Sequence, residues 1–235
     1  MLGYLKHKTN KLVKMALFRM GIDTPGAYLT IAETIPGWVT WQELAEKIRC
    51  CQLLPRDAQI VEIGAFLGRS TVVLAGARKL KGSGMVHSID PFDASGESFS
   101  AGIYKEIENG LKSSLLDTFR QNLSRARVSD YVRVHKGTAE SVVSGWQTPI
   151  DMLILDGDQS PEGALAAYKA WIPFLKPGGI LILHNSGKRV YEEGHDGHRQ
   201  LALKFLKEPE YVEIHTERMT TFAKKAEHKV EQSLR

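Results

Sequence analysis

The chain has 235 residues, of which 43% are hydrophobic and 25% are charged, and its mean hydropathy is −0.22. This length fits one domain with a single large core, and the composition excludes a disordered chain, a collagen-like repeat and a membrane bundle. The net charge is +4, but residues 1–20 hold five basic and no acidic residues, so the rest of the chain is almost neutral. The rest of the chain therefore lacks the basic excess that binding to nucleic acid requires, and no nucleic-acid partner is expected.

The cysteines of the sequence indicate a cellular compartment. Cys50 and Cys51 are the only two, and adjacent cysteines cannot join distant parts of a chain. This usage is typical of a reducing compartment, so we expect a cytoplasmic protein. No apolar run reaches the roughly 20 residues that span a bilayer, so no transmembrane segment is expected.

Residues 1–36 differ in pattern from the rest of the chain. Residues 1–20 interleave basic and apolar side chains, which predicts a basic amphipathic helix. Such a helix can pack on the body or on a second subunit of a homodimer, cover a substrate as a mobile lid, or contact a membrane surface. Residues 21–37 contain two Pro-Gly pairs and are predicted to be a connector around a short apolar piece.

From residue 37 onward, helical and strand patterns alternate. Thr40 and Glu43 have the spacing of a capping box, which predicts a helix from there to about residue 51. Short apolar runs that suit strands covered on both faces lie at residues 60–63, 85–89, 131–134, 152–155 and 180–183. Apolar residues at helical spacing predict helices between or after these runs, at residues 70–80, 111–126, 138–144, 161–175 and 201–206.

This alternation predicts an α/β fold, namely a Rossmann-like three-layer sandwich. Residues 211–215 and 220–223 add a C-terminal antiparallel hairpin, so the mostly parallel sheet has seven strands. We assign residues 37–226 to this domain and residues 227–235 to a C-terminal tail. Ligands of such sheets bind beyond the carboxyl ends of the strands, so the chemistry is expected there.

The first strand ends in the pattern Glu62-x-Gly64-x-x-x-Gly68, and Ser70 follows at the start of a helix. Glycines let a ligand approach the backbone, and the helix N-terminus offers free N–H donors. The dinucleotide pattern G-x-G-x-x-G has a different spacing, which disfavours NAD. The turn predicts a cofactor loop, with a tight strand-to-helix turn as the alternative.

Two further strand ends carry polar residues. Asp90 ends the second strand and can accept both hydroxyls of a ribose, although an acid that only ends the strand before Pro91 is the alternative. Thr138 follows the third strand and can present its hydroxyl to an adenine edge or cap the next helix.

The fourth and fifth strand ends carry Asp156, His184 and Asn185. Neighbouring parallel strands would place these oxygen and nitrogen donors in one crevice. Carboxylate and amide oxygens suit Mg²⁺ or Ca²⁺, and an imidazole widens the choice to Mn²⁺ or Zn²⁺. A hydrogen-bonded polar cluster without metal is the alternative.

Together these motifs resemble those of the class I S-adenosylmethionine (SAM) dependent methyltransferases over about residues 36–224. Residues 61–71 are similar to the loop of catechol and caffeoyl-CoA O-methyltransferases, and residues 155–163 and 175–185 to bacterial sugar and natural-product O-methyltransferases. The resemblance implies methyl transfer from SAM to a hydroxyl of a small-molecule acceptor. An NAD-dependent oxidoreductase and a non-catalytic module of this fold are the alternatives.

The resemblance also assigns residues. It places the methionine part of SAM against the first loop, the ribose on Asp90 and the adenine near the third strand end. The implied cofactor residues are Glu62, Gly64, Ala65, Gly68, Ser70, Asp90, Phe92, Thr138, Ala139 and Asp156. The positions of Asp156, His184 and Asn185 hold Mg²⁺ in the catechol enzymes. Here His184 replaces an Asp, and Gln159 stands where those enzymes have a catalytic Lys.

The catalytic residues are predicted to be His184 and Asp156. His184 would take the acceptor proton if no metal binds, or would ligate Mg²⁺ or Mn²⁺ beside Asp156 and Asn185 if one does. These roles exclude each other, because a metal-bound ring nitrogen cannot accept a proton. His195 and His198 lie in a loop over the expected acceptor site, where they could supply a second base or a metal ligand, with a solvated loop as the alternative.

Overall fold

The computed structural model describes residues 2–227, with side chains described from residue 10 onward. The strands in this range are β1 Gln59–Ile63, β2 Met85–Asp90, β3 Val132–Lys136, β4 Ile150–Leu155, β5 Leu175–Leu183, β6 Tyr211–Glu217 and β7 Thr220–Lys225. They form one sheet in the order β3-β2-β1-β4-β5-β7-β6. The first five strands pair in parallel, and β7 runs antiparallel to both β5 and β6. The predicted seven-stranded, Rossmann-like sheet with its closing hairpin is confirmed.

The helices of the described range are α1 Leu2–Arg19, α2 Pro25–Ala32, α3 Trp41–Leu53, α4 Arg69–Lys81, α5 Ser98–Asn109, α6 Leu115–Arg125, α7 Ala139–Val143, α8 Pro161–Trp171 and α9 Gly197–Phe205. These helices form two layers, one on each face of the sheet. Tyr28 of α2 and Phe119 of α6 belong to the core on one face, and Trp171 of α8 and Leu201 of α9 to the core on the other. Because both faces are covered, the central strands β1, β2 and β4 are buried along almost their whole length, whereas β6 at the edge of the sheet is mostly exposed.

The structure differs from the prediction at α2, which was expected to be a connector. Thr24 caps this helix by accepting the backbone N–H of Ala27 at 3.1 Å, and Pro25 occupies its first turn. The helix packs on α4, where a Cβ at Gly76 would lie 2.4 Å from the ring of Tyr28. The apolar piece of the connector is therefore a buried helix, which the absence of a side chain at Gly76 allows to pack closely.

Other boundaries also differ. Residues 92–110 gave no helical prediction, yet α5 occupies Ser98–Asn109. The helix predicted to end at residue 175 ends at Trp171, and a single 3-10 turn leads into β5. Strand β5 begins five residues earlier than predicted, because Leu175 already pairs with Ile150 across an irregularity in the register.

The C-terminal half of α1 packs on the body. Phe18 is buried, and its ring contacts the ring of Tyr28 edge-on. Arg127 lies over the Phe18 ring at 3.7 Å and donates to the Phe18 carbonyl at 2.6 Å. Leu12 and Val13 of the same helix are exposed, so the expected homodimer contact through this helix stays a prediction.

A search of the described residues found no helix long and apolar enough to cross a membrane. Cys50 and Cys51 are both buried and free. The predicted tail at residues 227–235 lies outside the described residues except for its first residue.

Candidate active site

A cavity of about 360 Å³ lies at the carboxyl ends of the central strands. It stands where the strand order changes direction between β1 and β4, which is the position at which such sheets bind ligands. Its lining includes five residues that the sequence assigned to the cofactor, namely Gly64, Asp90, Thr138, Ala139 and Asp156. We call this space the cofactor cavity.

A smaller recess of about 50 Å³ adjoins the cofactor cavity. The two spaces share one wall, which is formed by Gly64, Phe66, Tyr104 and Asp156. Ala65 and Ser70, which were also assigned to the cofactor, line this recess. Its outer wall is aromatic: the rings of Trp38, Phe66 and Tyr104 contact one another at centroid distances of 5.2 to 5.6 Å. We call this space the side recess.

Gly64 is required by the close approach of two strand ends. Its φ is +89°, and a Cβ built there would lie 2.3 Å from the backbone oxygen of Asp156. A side chain would therefore push the ends of β1 and β4 apart. Gly68 also has a positive φ and precedes the first turn of α4. Because Gly68 lines neither the cofactor cavity nor the side recess, its part in the loop is to start the helix.

Glu62 is fully buried below the loop. Its carboxylate accepts hydrogen bonds from the hydroxyls of Ser70 and Thr71, which ties β1 to the start of α4. Burial raises the pKa of Glu62 above its ordinary value, although these hydrogen bonds and the charge of Lys47 oppose that effect. Glu62 lines neither space, so the structure gives it a supporting position beneath the loop.

Asp90 is held by two backbone groups at the end of β2. Its oxygens accept the N–H of Phe66 at 2.8 Å and the N–H of Phe92 at 2.7 Å. Burial raises the pKa of Asp90, and the two backbone hydrogen bonds counteract it. Each oxygen keeps a second lone pair, so the fixed carboxylate can accept hydroxyl donors from the cavity.

The residues that were expected to contact the adenine differ in whether they line the cofactor cavity. Phe92 is buried against the ring of Phe119 and does not line the cofactor cavity. Thr138 lines the cavity and also caps α7, accepting the backbone N–H of Ser141 at 3.2 Å. The capping role of Thr138 is therefore confirmed, and its contact with an adenine stays a prediction.

Asp156 follows β4 and lines both spaces. Burial raises its pKa to about 7, against which the positive charge of Lys47 acts. Its Oδ1 lies 3.9 Å from Nε2 of His184. A carboxyl group with such a pKa can gain and lose a proton near neutral pH.

His184 lies behind Asp156 and does not line either space. Its side chain is 3% exposed, and Nε2 has no hydrogen-bond partner in the described part of the chain. Nδ1 lies 3.0 Å from the hydroxyl oxygen of Thr220. Burial, assisted by the charge of Lys47, lowers the pKa of His184 to about 4, so the ring is neutral at neutral pH.

Two charged residues of the site were not predicted. Glu43 and Lys47 lie one turn apart on α3, and both are completely buried. The sequence pattern predicts only a capping role for Glu43 and none for Lys47. A charged pair at i and i+4 on the apolar face of a predicted helix is the signal that could have revealed them.

The predicted metal ligands do not converge. The amide nitrogen of Asn185 lies 3.4 Å from Nε2 of His195, whose Nδ1 lies 2.8 Å from a carboxylate oxygen of Glu97. His184 is directed instead to Thr220 and Asp156. Among residues 10–227, whose side chains the structure describes, no group of three or more His, Cys, Asp or Glu residues is arranged to hold a metal ion. The contacts of Asn185 and His184 therefore give no support to the expected Mg²⁺ or Mn²⁺ site.

The loop after β5 reaches the site through its histidines. The ring of His195 contacts the ring of Phe99 of α5 at a centroid distance of 4.4 Å, with the two ring planes tilted by 38°. Nδ1 of His198 donates to the backbone oxygen of His184 at 2.9 Å. His198 lines the cofactor cavity, but burial lowers its pKa to about 4. Gln159 is buried, and its backbone N–H lies 3.4 Å from Glu97.

Comparison with known proteins relates this arrangement to one family. Residues 61–186 match the family described as "Methyltransferase domain", which is more than half of the chain. These residues run from β1 to just beyond β5 and contain the loop, Asp90, Asp156 and His184.

Solved structures share the fold over nearly the whole chain. The cofactor-bound structure of Rv0187 from MTB is 18% identical, with a TM-score of 0.59 over 88% of this chain and 92% of that one. The O-methyltransferase NovP is 16% identical, with a TM-score of 0.60 over 80% and 81%. The methyltransferase PaMTH1 of Podospora anserina, solved with S-adenosylhomocysteine (SAH), is 11% identical, with a TM-score of 0.58 over 86% and 87%.

Proposed function

Since this chain belongs to the class I SAM-dependent methyltransferases, we propose that it methylates a hydroxyl of a small-molecule acceptor, with Asp156 as the general base. The observation that carries this proposal is the position of Asp156. Asp156 lines both the cofactor cavity and the side recess, and its side chain keeps 15% of its exposure, so its carboxyl group can meet the donor and the acceptor. General-base catalysis requires such a group within reach of the proton that is removed.

The cofactor cavity supports a SAM-binding role for three regions. The fixed carboxylate of Asp90 would accept the ribose hydroxyls, and Thr138 with Ala139 would contact the adenine. Gly64 lets the methionine part approach the backbone at the junction with the side recess. When bound, SAM supplies a methyl group that the sulfonium charge makes electrophilic.

The residues of the chain then have two tasks in the reaction. The walls of the side recess align the acceptor oxygen with the methyl group, which supplies the entropic part of catalysis. Asp156 accepts the hydroxyl proton as the oxygen forms its bond to carbon and the bond from carbon to sulfur breaks. No step is assigned to a metal ion, because Asn185 is directed to His195 and Nδ1 of His184 to Thr220.

Calorimetry tests the cofactor. We expect SAM and SAH to bind and NAD to bind more weakly, because of the glycine spacing in the first loop. Asp90→Ala should weaken SAM binding by about 1.5 to 3 kcal/mol, since it removes charge-assisted hydrogen bonds. Asp93→Ala changes an exposed carboxylate in the same loop and is the matched control. NAD binding that is tighter than SAM binding would refute the assignment.

Transfer of label from methyl-labelled SAM to a panel of phenols, sugars and amines tests the reaction. Hydroxyl compounds should be the acceptors, and Asp156→Asn should lower kcat by about 10² to 10⁴ because the base is lost. Asp130→Asn, an exposed carboxylate on a turn before β3, should leave kcat unchanged. Full activity of Asp156→Asn, or methylation of amines alone, would overturn the proposal.

A further inference from the structure

A buried polar cluster lies behind the wall of the active site. It comprises Glu43 and Lys47 of α3, Glu62 of β1, Asp156 after β4 and His184 after β5. We propose that Glu43 is a positioning residue that, through the hydroxyl of Thr220, holds His184 with Nε2 unprotonated and turned towards Asp156. This inference rests on the proposed function, because it gives the base Asp156 a fixed hydrogen-bond acceptor.

The first link joins Glu43 to Thr220. The Thr220 hydroxyl lies 2.7 Å from Oε1 of Glu43 and donates its proton there, and the backbone N–H of Met219 donates to the same oxygen at 3.1 Å. The other carboxylate oxygen accepts from Thr40 in the capping box. Although burial alone raises the pKa of Glu43, hydrogen bonds from Thr40 and Thr220 bring it below the ordinary value. Glu43 is thus an ionised acceptor in the interior.

The second link fixes the tautomer of His184. The only proton of the Thr220 hydroxyl is given to Glu43, so the oxygen of Thr220 can only accept from Nδ1 of His184 at 3.0 Å. Nδ1 must therefore carry the proton of the neutral ring. The lone pair is then on Nε2, which lies 3.9 Å from Asp156 and has no other partner among the described residues.

The charges around His184 keep its ring neutral. Lys47 from α3 and Arg189 and His195 from the loop after β5 disfavour the imidazolium, while Glu43 favours it. Burial outweighs the single attraction from Glu43. Lys47 is completely buried, and its Nζ has no hydrogen-bond partner within the described range.

This arrangement defines the fate of the proton. Asp156 takes the proton from the acceptor hydroxyl and can then donate a hydrogen bond to Nε2 of His184, once the two groups approach by about 1 Å to hydrogen-bond distance. His184 stays neutral, and the proton leaves Asp156 to solvent when the product departs. Without Glu43 and Thr220, Nε2 could carry the ring proton and could then no longer accept a hydrogen bond from the protonated carboxyl group.

Nitrogen NMR of the full-length protein tests the tautomer without any acceptor. Long-range proton–nitrogen spectra of ¹⁵N-labelled protein distinguish Nδ1–H from Nε2–H, and the signal missing in His184→Gln identifies the residue. At pH 7.5 the wild-type ring should carry its proton on Nδ1. A wild-type ring that carries it on Nε2 would overturn the proposal, whatever the variants do.

Variants separate positioning from a purely structural tie. Thr220→Val removes the hydroxyl and should move the proton largely to Nε2, whereas Thr220→Ser keeps the hydroxyl and should restore Nδ1–H. Glu43→Gln preserves a capping residue and should also disturb the tautomer. Glu46→Gln is the matched control, because Glu46 also joins α3 to the hairpin, through His215 at 2.7 Å, without reaching Thr220. Unchanged spectra for both Thr220→Val and Glu43→Gln would overturn the inference.

Calorimetry with SAM on the same samples distinguishes this inference from the proposed function. If SAM does not bind and the tautomer responds as expected, the proposed function fails. The hydrogen bonds from Glu43 through Thr220 to His184 then fix the tautomer without a part in methyl transfer. If SAM binds to all variants and the tautomer never responds, only the positioning role of Glu43 fails. Thermal melting of each variant shows whether it is folded, and the wild-type and Thr220→Ser spectra keep the test decisive if Thr220→Val does not fold.

Discussion

Asp156→Asn should stabilise the fold at neutral and alkaline pH while it lowers the rate of methyl transfer. The carboxyl group lies at the end of β4, and its ordinary pKa of 3.8 is raised to about 7 by burial. Between these two values the native state binds a proton that the unfolded chain has lost. The free energy of unfolding therefore falls as pH rises through this window, and above pH 7 the full penalty is present.

The size of the effect is set by the two pKa values. Each pH unit between them destabilises the wild type by about 1.4 kcal/mol, which adds up to about 4 kcal/mol above pH 7. The side chain keeps 15% of its exposure, so water screens part of the charge, and we expect about 2 to 4 kcal/mol. An Asn side chain has nearly the same shape and no charge, so it avoids this penalty.

Urea unfolding at pH 4, 5.5 and 8 measures the difference between variant and wild type. The difference should be near zero at pH 4, intermediate at pH 5.5 and largest at pH 8. Asp130→Asn, at an exposed position, controls for the general effect of removing a carboxylate. A difference that does not change between pH 4 and pH 8 would show that the pKa of Asp156 is not raised and would refute the reasoning.

Further outcomes are expected from the fold and the site. Gly64→Ala should destabilise the protein by about 2 to 5 kcal/mol and abolish SAM binding, as thermal melting and calorimetry would show, because φ is positive and the new Cβ would meet the backbone of Asp156. Mg²⁺, Mn²⁺ or EDTA should leave the melting temperature unchanged, since an ion that bound the native state would raise it by mass action; a rise with metal concentration would contradict the site geometry. Arg127→Ala should cost about 1 to 2 kcal/mol in urea unfolding because it removes the contacts with α1, while Arg120→Ala, an exposed arginine on α6, should cost almost nothing.

Periodicity of apolar residues was enough to predict the sheet. Strands covered on both faces leave short apolar runs, and the helices between them leave apolar residues at helical spacing, so both signals were present. The two missed helices have physical reasons. Helix α2 is short and apolar on most sides, which hides its periodicity, and α5 contacts the core mainly through Tyr104 and Ile107.

The cofactor side of the site was more predictable than the catalytic side. Asp90 and Gly64 could be located from local sequence, because strand ends and glycine spacing fix where they lie. The environment of His184 depends on Glu43 and Thr220, which come from opposite ends of the domain. No local pattern records such a contact, and the position of His184 behind Asp156 could be seen only once the sheet was assembled.

The hydrogen bond between Glu43 and Thr220 joins positions that are 177 residues apart, and this separation has a consequence for biogenesis. During synthesis the strands from β1 to β5 emerge before β7, so the space for SAM can assemble on a chain that still lacks its last strand. Contacts of such long range form late because the loop between them must first be closed. A nascent chain should therefore bind the cofactor before it can catalyse the reaction. The His184 ring should be fixed with its proton on Nδ1 only when the C-terminal hairpin docks.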